Sequence, residues 1–443
     1  MRVVSSEVIV RAMTRMIPKL SMKNLSKILK LADLLIRDEK YRPILKGFQA
    51  YVEEGHPATK LIERVLYEFA PNVRFRVIYN LFILGLLYGT QKRDEILKAE
   101  GFRPPLFFVI SPTMRCNMKC YGCYAGSYEK DPGLPYELLD RILTEAEMMH
   151  IHFITISGGE PFLRNDLIRL FEKHRNIMFQ VYTNGTLIDE EVAKKLAELG
   201  NVAPMVSIEG FEEITDRRRG KGHFKLVMDV FERLKRHGLL FGASVMQTRE
   251  NYLEISSHEF AKLLVEKGVS VIWYFQYIPV GYDPDVKLML LPEERDEIRR
   301  RLRVIRNSYP VFLCDFWNDG PYVDGCLAGG REYFHINANG DVEPCVFVHF
   351  AIDNIRDKTL KDVLLSPFFK GIRASQPFSD NPLTPCMIID NPSALRELVR
   401  KYSAKPTHEG AERIVNELSG FLDDYSCKYK KIAERTWNEE YGQ

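Results

Sequence analysis

The sequence predicts an α/β fold: an open, partial (β/α)6 barrel between a helical N-terminal region and a small α+β C-terminal domain. Three observations carry this. Between Pro105 and residue 312, short apolar runs alternate six times with amphipathic stretches. The first hundred residues show helical periodicity and no alternating strand pattern. Beyond residue 312 the alternation stops, and turn residues and most of the remaining cysteines take over.

Residues 1–100 read as a small set of helices. Leu25, Ile28, Leu29 and Leu35 recur at largely helical steps in one segment, and Leu61, Val65 and Phe69 do so in another. Residues 1–30 carry Arg2, Arg11, Arg15, Lys19, Lys23, Lys27 and Lys30 against Glu7 alone, and Pro18 divides them. A basic amphipathic helix can lie on an anionic membrane surface. A helix packed on the barrel with a solvated basic face would give the same pattern. The most apolar run, Val77 to Gly89, is shorter than the roughly 20 residues of a bilayer span, and Asn80 interrupts it.

Residues 101–312 form the barrel. The strand–helix pairs are Leu106–Ile110 with Leu138–Met149, Phe153–Ile156 with Leu167–His174, and Phe179–Tyr182 with Glu190–Leu199. The series continues with Pro204–Ile208 and Lys225–His237, Leu240–Met246 and Leu253–Lys267, and Val271–Ile278 and Glu293–Ile305. Consecutive strand–helix units imply right-handed crossovers and a parallel sheet. Six units fall short of the eight of a closed TIM barrel, so a TIM-like barrel left open is expected. Residues 313–398 form the C-terminal domain, with expected strands Tyr333–Asn337 and Val346–Phe350 and a turn at Asn339-Gly340-Asp341. Residues 399–443 return to charged helix.

Composition bounds the function. The 443 residues are 45% hydrophobic with a net charge of +2, which does not advertise a nucleic-acid partner. No short apolar core precedes a small-residue cleavage site. Clustered thiols without such a signal suggest a reducing cytoplasm. A cytoplasmic location is expected, with residues 1–30 as the segment able to reach the inner face of a membrane.

Chemistry concentrates after the first strand. Met114-Arg-Cys-Asn-Met-Lys-Cys-Tyr-Gly-Cys-Tyr-Ala125 places Cys116, Cys120 and Cys123 at C-x3-C-x2-C, at the C-terminal edge of the sheet. Three thiolates can hold a cubane iron–sulfur cluster and leave its fourth iron open to a small molecule. Zinc is the alternative, but zinc sites usually pair two short arms and one is present. Ser157-Gly158-Gly159-Glu160-Pro161 ends the second strand, Thr183-Asn184-Gly185-Thr186 the third and Ser207-Ile208-Glu209-Gly210 the fourth. Asp216, Arg219, Gly220 and Phe224 follow as D-x2-R-G-x3-F.

Together these motifs resemble those of the radical S-adenosylmethionine superfamily. The resemblance implies a 4Fe–4S cluster on Cys116, Cys120 and Cys123, with S-adenosylmethionine chelating the open iron. It implies that Gly158, Gly159, Glu160 and Pro161 meet the methionine amine, Glu160 supplying negative charge. Asn184 belongs to the family's T-N-G turn. Ser207 becomes the candidate for the ribose, with Glu209 a lesser one. It further implies reductive cleavage of the cofactor, hydrogen abstraction by a 5′-deoxyadenosyl radical, and a low-potential donor such as ferredoxin or flavodoxin. One departure stands out. The family usually has an aromatic residue before the third cysteine, where this chain has Gly122, so adenine packing is expected from Tyr121, Tyr124 or the stretch Tyr274 to Tyr277.

Cys326 and Ile336-Asn-Ala-Asn-Gly340-Asp-Val-Glu-Pro-Cys345 resemble the C-x(9–15)-G-x4-C entry of SPASM and twitch auxiliary-cluster domains. A second, auxiliary 4Fe–4S cluster is implied on Cys326, Cys345 and Cys386, with Cys314 as candidate fourth ligand and Cys427 a structural thiol. The substrate is left open between a lipid or other hydrophobic molecule, slightly favoured, and a ribosomal peptide or protein. A non-catalytic iron–sulfur carrier or sensor is the reading from another class, and it has no use for Gly158–Pro161. No general acid or base is assigned.

Overall fold

The computed structural model describes residues 55–129, 133–281 and 283–442, together with Glu7, residues 10–12 and Thr14. The barrel strands are β1 (Phe107–Ile110), β2 (Phe153–Ile156), β3 (Met178–Thr183), β4 (Val202–Ser207), β5 (Gly242–Gln247) and β6 (Val271–Gln276). Each is followed by a helix that crosses back, as the six apolar–amphipathic pairs require. The sheet also contains β7 (Phe312–Asp315), β8 (His335–Ile336) and β9 (Val342–Glu343). Its order is β7-β6-β5-β4-β3-β2-β1-β8-β9. Every pairing from β7 to β8 is parallel and β9 runs antiparallel to β8.

Two of these strands extend the architecture beyond six. β7 pairs with β6 from Val271↔Phe312 to Tyr274↔Asp315, so the expected boundary at 312 runs through a barrel strand. β8 covers the other edge: Phe107, Val109 and Ser111 donate backbone N–H groups to Glu332, Phe334 and Ile336. An open parallel sheet would otherwise leave the β1 edge unpaired. The expected strand over Val346–Phe350 is shorter than anticipated. A Cys345–Val348 bridge turns the chain, and extended pairing is confined to Phe350–Ala351 with Lys405–Pro406.

Register sorts the side chains. Parallel partners face the same way, and successive residues alternate. The pairs Phe107↔Phe153, Thr155↔Gln180, Tyr182↔Met205, Ser207↔Ser244, Met246↔Phe275 and Trp273↔Cys314 therefore lie on one face. That face is the barrel interior. Trp273 Nε1 donates to Gln180 Oε1 at 2.9 Å, and the Tyr182 and Phe275 rings meet edge-on at 5.6 Å, although β3 and β6 are not sheet neighbours.

N-terminal to the barrel, a continuous helix spans Pro71–Glu100. Proline opens it, and Gly101 at φ +73° ends it. By length and composition it could cross a membrane, yet 56% of its apolar window is buried. Asn80, fully buried, donates its amide to the carbonyls of Arg175 (2.8 Å) and Ile177 (3.2 Å) and so fastens the helix to the barrel. The basic segment 1–30, expected to face a membrane, lies outside the described residues except at the five positions named above. At the other end, helix Ser419–Glu440 packs on helix Pro292–Ser308. Between them Arg295 and Asp390 form a fully buried ion pair at 2.5 Å, with the guanidinium 3.7 Å above the Tyr429 ring.

Candidate functional site

The loop after β1 carries Cys116, exposed, and Cys120 and Cys123, half-buried, all free thiols. Burial pushes the Cys116 thiol up, the Met118 N–H pulls it back, and the charges of Glu160, Cys123 and Cys120 push it further. The three sulfurs therefore share one electrostatic neighbourhood. Among the described residues, no three His, Cys, Asp or Glu side chains converge as a single metal ion requires. Three thiols on one loop are the donor set that a cubane takes on three of its irons.

The segment after β2 is built against that loop. Gly159 N donates to Thr113 O at 3.0 Å and Glu160 N to Arg115 O at 2.8 Å. A Cβ on Gly158 would overlap the Thr113 carbonyl, and one on Gly159 the Arg115 carbonyl. The two glycines admit the cysteine loop itself. Among the described residues, the Gly158 and Gly159 carbonyls accept no hydrogen bond, which leaves them able to receive an amine.

Glu160 joins two strand ends. Its carboxylate is wholly buried and accepts from Phe162 N (3.1 Å), Thr183 Oγ1 (2.9 Å) and Asn184 N (2.7 Å). It ties the end of β2 to the end of β3. Asn184 in turn donates to Asn117 Oδ1 at 2.8 Å and reaches Cys116 Sγ at 3.9 Å. Pro161 opens the short helical turn that follows.

Ser207 is half-buried at the C-terminal end of β4, on the interior face. Glu209 sits in a buried clamp with Arg218 (2.5 Å) and Arg219 (2.6 Å). Burial pushes its carboxyl up, but the two guanidinium groups outweigh this and hold it below the ordinary value. Its Oε2 is buried without a partner. Arg219 also feels the charges of Cys120 and Cys123. Asp216 caps the next helix through Gly222 N (2.5 Å) and Phe224 N (2.8 Å). Gly122 is explained sterically: it adopts φ +63°, and a Cβ there would come 2.8 Å from Tyr277 Cε2. The Tyr277 ring occupies the side that an aromatic at 122 would claim. Tyr121 donates to Glu250 at 3.0 Å, and the Tyr124 hydroxyl bonds Ser157 Oγ at 2.7 Å.

A second thiol group lies in the C-terminal domain. Cys345 is perturbed by Cys326 and Cys386, and Cys386 by Cys326. Each is pushed up by burial and opposed by a backbone N–H two residues on, from Ala328, Phe347 and Ile388 respectively. Cys116 has the same arrangement with Met118. Such donors stabilise a thiolate, the form that ligates metal. Tyr333 adds its hydroxyl to Cys345 Sγ at 2.6 Å.

Cys314, the expected fourth ligand, is not among the charges that act on these three thiols. It lies on β7 facing the barrel interior, its neighbours are Asp319, Arg306 and Asp315, and no backbone N–H supports its sulfur. Burial and the two carboxylates hold it as a thiol. Cys427 is exposed on the C-terminal helix. Tyr277 falls in the stretch expected to pack near the cofactor, whereas nothing in the sequence singled out the contact of Tyr333 with Cys345. Nor did it signal the buried Ser111–His335–Glu343 chain, in which His335 links Ser111 Oγ (2.8 Å) to Glu343 (2.5 Å).

Fold and site together define a parallel α/β barrel with a cluster-binding thiol loop at its C-terminal edge and an appended cysteine domain. A family profile described as the radical SAM superfamily matches residues 110–261, and one described as an iron–sulfur cluster-binding domain matches residues 326–387. The chain is 31% identical over 282 residues to mycofactocin maturase MftC of Mycolicibacterium smegmatis, covering 60% of this chain and 69% of MftC. It is 30% identical over 255 residues to Fe-coproporphyrin III synthase of Methanosarcina barkeri, covering 54% of this chain and 63% of the synthase. Among solved structures, Streptococcus suis SuiB bound to S-adenosylmethionine superimposes with a TM-score of 0.57 at 20% identity, over 78% of this chain and 84% of SuiB. The chain belongs to the radical SAM superfamily and carries a SPASM-type C-terminal domain. It is an enzyme, and its cofactors are a 4Fe–4S cluster, S-adenosylmethionine and auxiliary iron–sulfur.

Proposed function

We propose that Cys116, Cys120 and Cys123 hold the cofactor-binding cluster, that Cys326, Cys345 and Cys386 hold one auxiliary cluster, and that the reacting C–H group belongs to an apolar part of the substrate. When bound, the cofactors supply a reductively generated adenosyl radical able to take a hydrogen atom from carbon. The protein's part is to orient and to exclude water. The carbonyls of Gly158 and Gly159 are the groups offered to the amine, and Ser207 is the group offered to the ribose. Arg218 and Arg219 fix Glu209 beside them.

The observation that carries the substrate reading is the burial pattern of β6. Val271, Trp273 and Phe275 are half-exposed to the barrel interior while their alternate neighbours are buried. With Phe107, Phe153 and Tyr182 they make an aromatic wall, which suits an apolar group. A lipid or other hydrophobic molecule is the first reading. A peptide substrate is the second, favoured by the similarity to MftC, a maturase by name, and an aromatic side chain would suit the same wall.

The test is anaerobic reconstitution with a strong one-electron reductant. Cys123→Ala should lose 5′-deoxyadenosine formation and retain the iron of the auxiliary site; iron loss from both sites refutes the two-site assignment. In the wild-type enzyme, stimulation by micellar phospholipid and not by short aromatic peptides supports the first reading. The reverse result transfers it to the second.

A further inference from the structure

We propose that Cys314 is a hydrogen-atom donor to carbon-centred radicals formed in the barrel interior. This rests on the reading above that the interior is where the substrate reacts.

The placement comes from register. Cys314 pairs with Trp273, and Trp273 with Ser244, on the face that β3 closes from the opposite side. The charge of Cys314 is felt by Tyr182, a residue of β3. Strands β3 and β7 are four apart in the sheet, so those side chains communicate only through the interior. Tyr182 is also perturbed by Tyr124, whose hydroxyl bonds Ser157 at the start of the Gly158–Pro161 segment. Cys314 therefore shares the interior face with Trp273, whose indole reaches across to Gln180 of β3 at 2.9 Å.

A second observation marks the interior as a ligand space. Thr155 is 2% exposed, lies on the same interior face, and its Oγ1 has no hydrogen-bond partner. Tyr182 accepts from Gln180 Nε2 at 3.0 Å and, among the described residues, donates to nothing. A hydroxyl left unpaired in a mostly apolar interior costs free energy unless a ligand completes it. The Thr155 hydroxyl is of this kind, on the interior face that Cys314 shares.

The chemistry follows from the form of the sulfur. Cys314 faces the barrel interior, with Asp315 and Asp319 for neighbours and no backbone N–H on its sulfur. It keeps its S–H bond, which is weaker than the C–H bonds of an alkyl chain. In the step, a carbon radical and the thiol exchange one hydrogen atom. A C–H bond forms, the S–H bond breaks, and the unpaired electron moves to sulfur. One electron from a low-potential protein donor and one proton from solvent then restore the thiol.

The test uses S-adenosylmethionine alone as the probe, in deuterated buffer, where thiol hydrogens exchange. The wild-type enzyme should release 5′-deoxyadenosine carrying one deuterium. Cys314→Ala and Cys314→Ser should release less of it, with most of the deuterium lost. Iron per chain should be unchanged in both. Alkylation followed by peptide mass mapping should find Cys314 modified only after unfolding of the loaded protein. Unchanged deuteration in both variants overturns the proposal. Loss of auxiliary iron also overturns it and makes Cys314 a ligand. If the wild-type enzyme yields no 5′-deoxyadenosine, the proposed cluster assignment fails instead, which keeps the two failures distinct.

Discussion

Gly159 has no room for a side chain, because its α-carbon faces the backbone carbonyls of Met114 and Arg115. Neither can yield without moving the cysteine loop. Gly159→Ala should therefore abolish 5′-deoxyadenosine formation while leaving auxiliary iron bound, whereas Gly220→Ala, which faces open space, tests the effect of positive φ alone and should cost about 1 kcal/mol of stability by urea titration. The motif was legible in the sequence because its residue types and spacing recur. The direction of Glu160 was not. Spacing places a carboxylate near the cofactor, but the donors that capture it, Phe162 N, Thr183 Oγ1 and Asn184 N, come partly from a strand more than twenty residues away. The face of the sheet on which Cys314 lies was not legible for the same reason: a count of cysteines holds no register.

At the scale of elements, the helix Pro71–Glu100 shows what one polar residue does in an apolar run. Asn80 meets two carbonyls at the turn before β3. Asn80→Leu should cost about 1–3 kcal/mol by urea unfolding, because it strands both acceptors. A variant equal to wild type in stability would show that the helix does not depend on this anchor. The six barrel strands were legible because their apolar runs contrast with amphipathic helices. β7 was not, because four residues give no period to read, and β8 was expected as a strand within Tyr333–Asn337 but not as the neighbour of β1. Their place is decided by edges left open elsewhere in the sheet.

For the whole molecule, Arg295 is the junction of three parts. It leaves a barrel helix, pairs with Asp390 in the C-terminal domain, and lies over Tyr429 of the terminal helix. Asp390 also accepts from Cys386 N at 3.0 Å, so the pair reaches the auxiliary thiols. Arg295→Met leaves a buried carboxylate alone and should cost about 3–5 kcal/mol. Iron analysis should show the auxiliary site emptied before the barrel site. Equal loss from both would mean that the pair serves the barrel alone.

The pairing of β1 with β8 also sets an order of events in the life of the chain. During synthesis, Leu106 emerges 226 residues before Glu332, which accepts its N–H. Until then the strand that launches the cysteine loop is an unprotected margin, ready to pair with any stray strand. Iron delivered to the nascent loop would meet a rim still missing its neighbour. Assembly of the barrel's metal centre therefore waits until β8 has emerged, and a polypeptide truncated before His335 should lack iron.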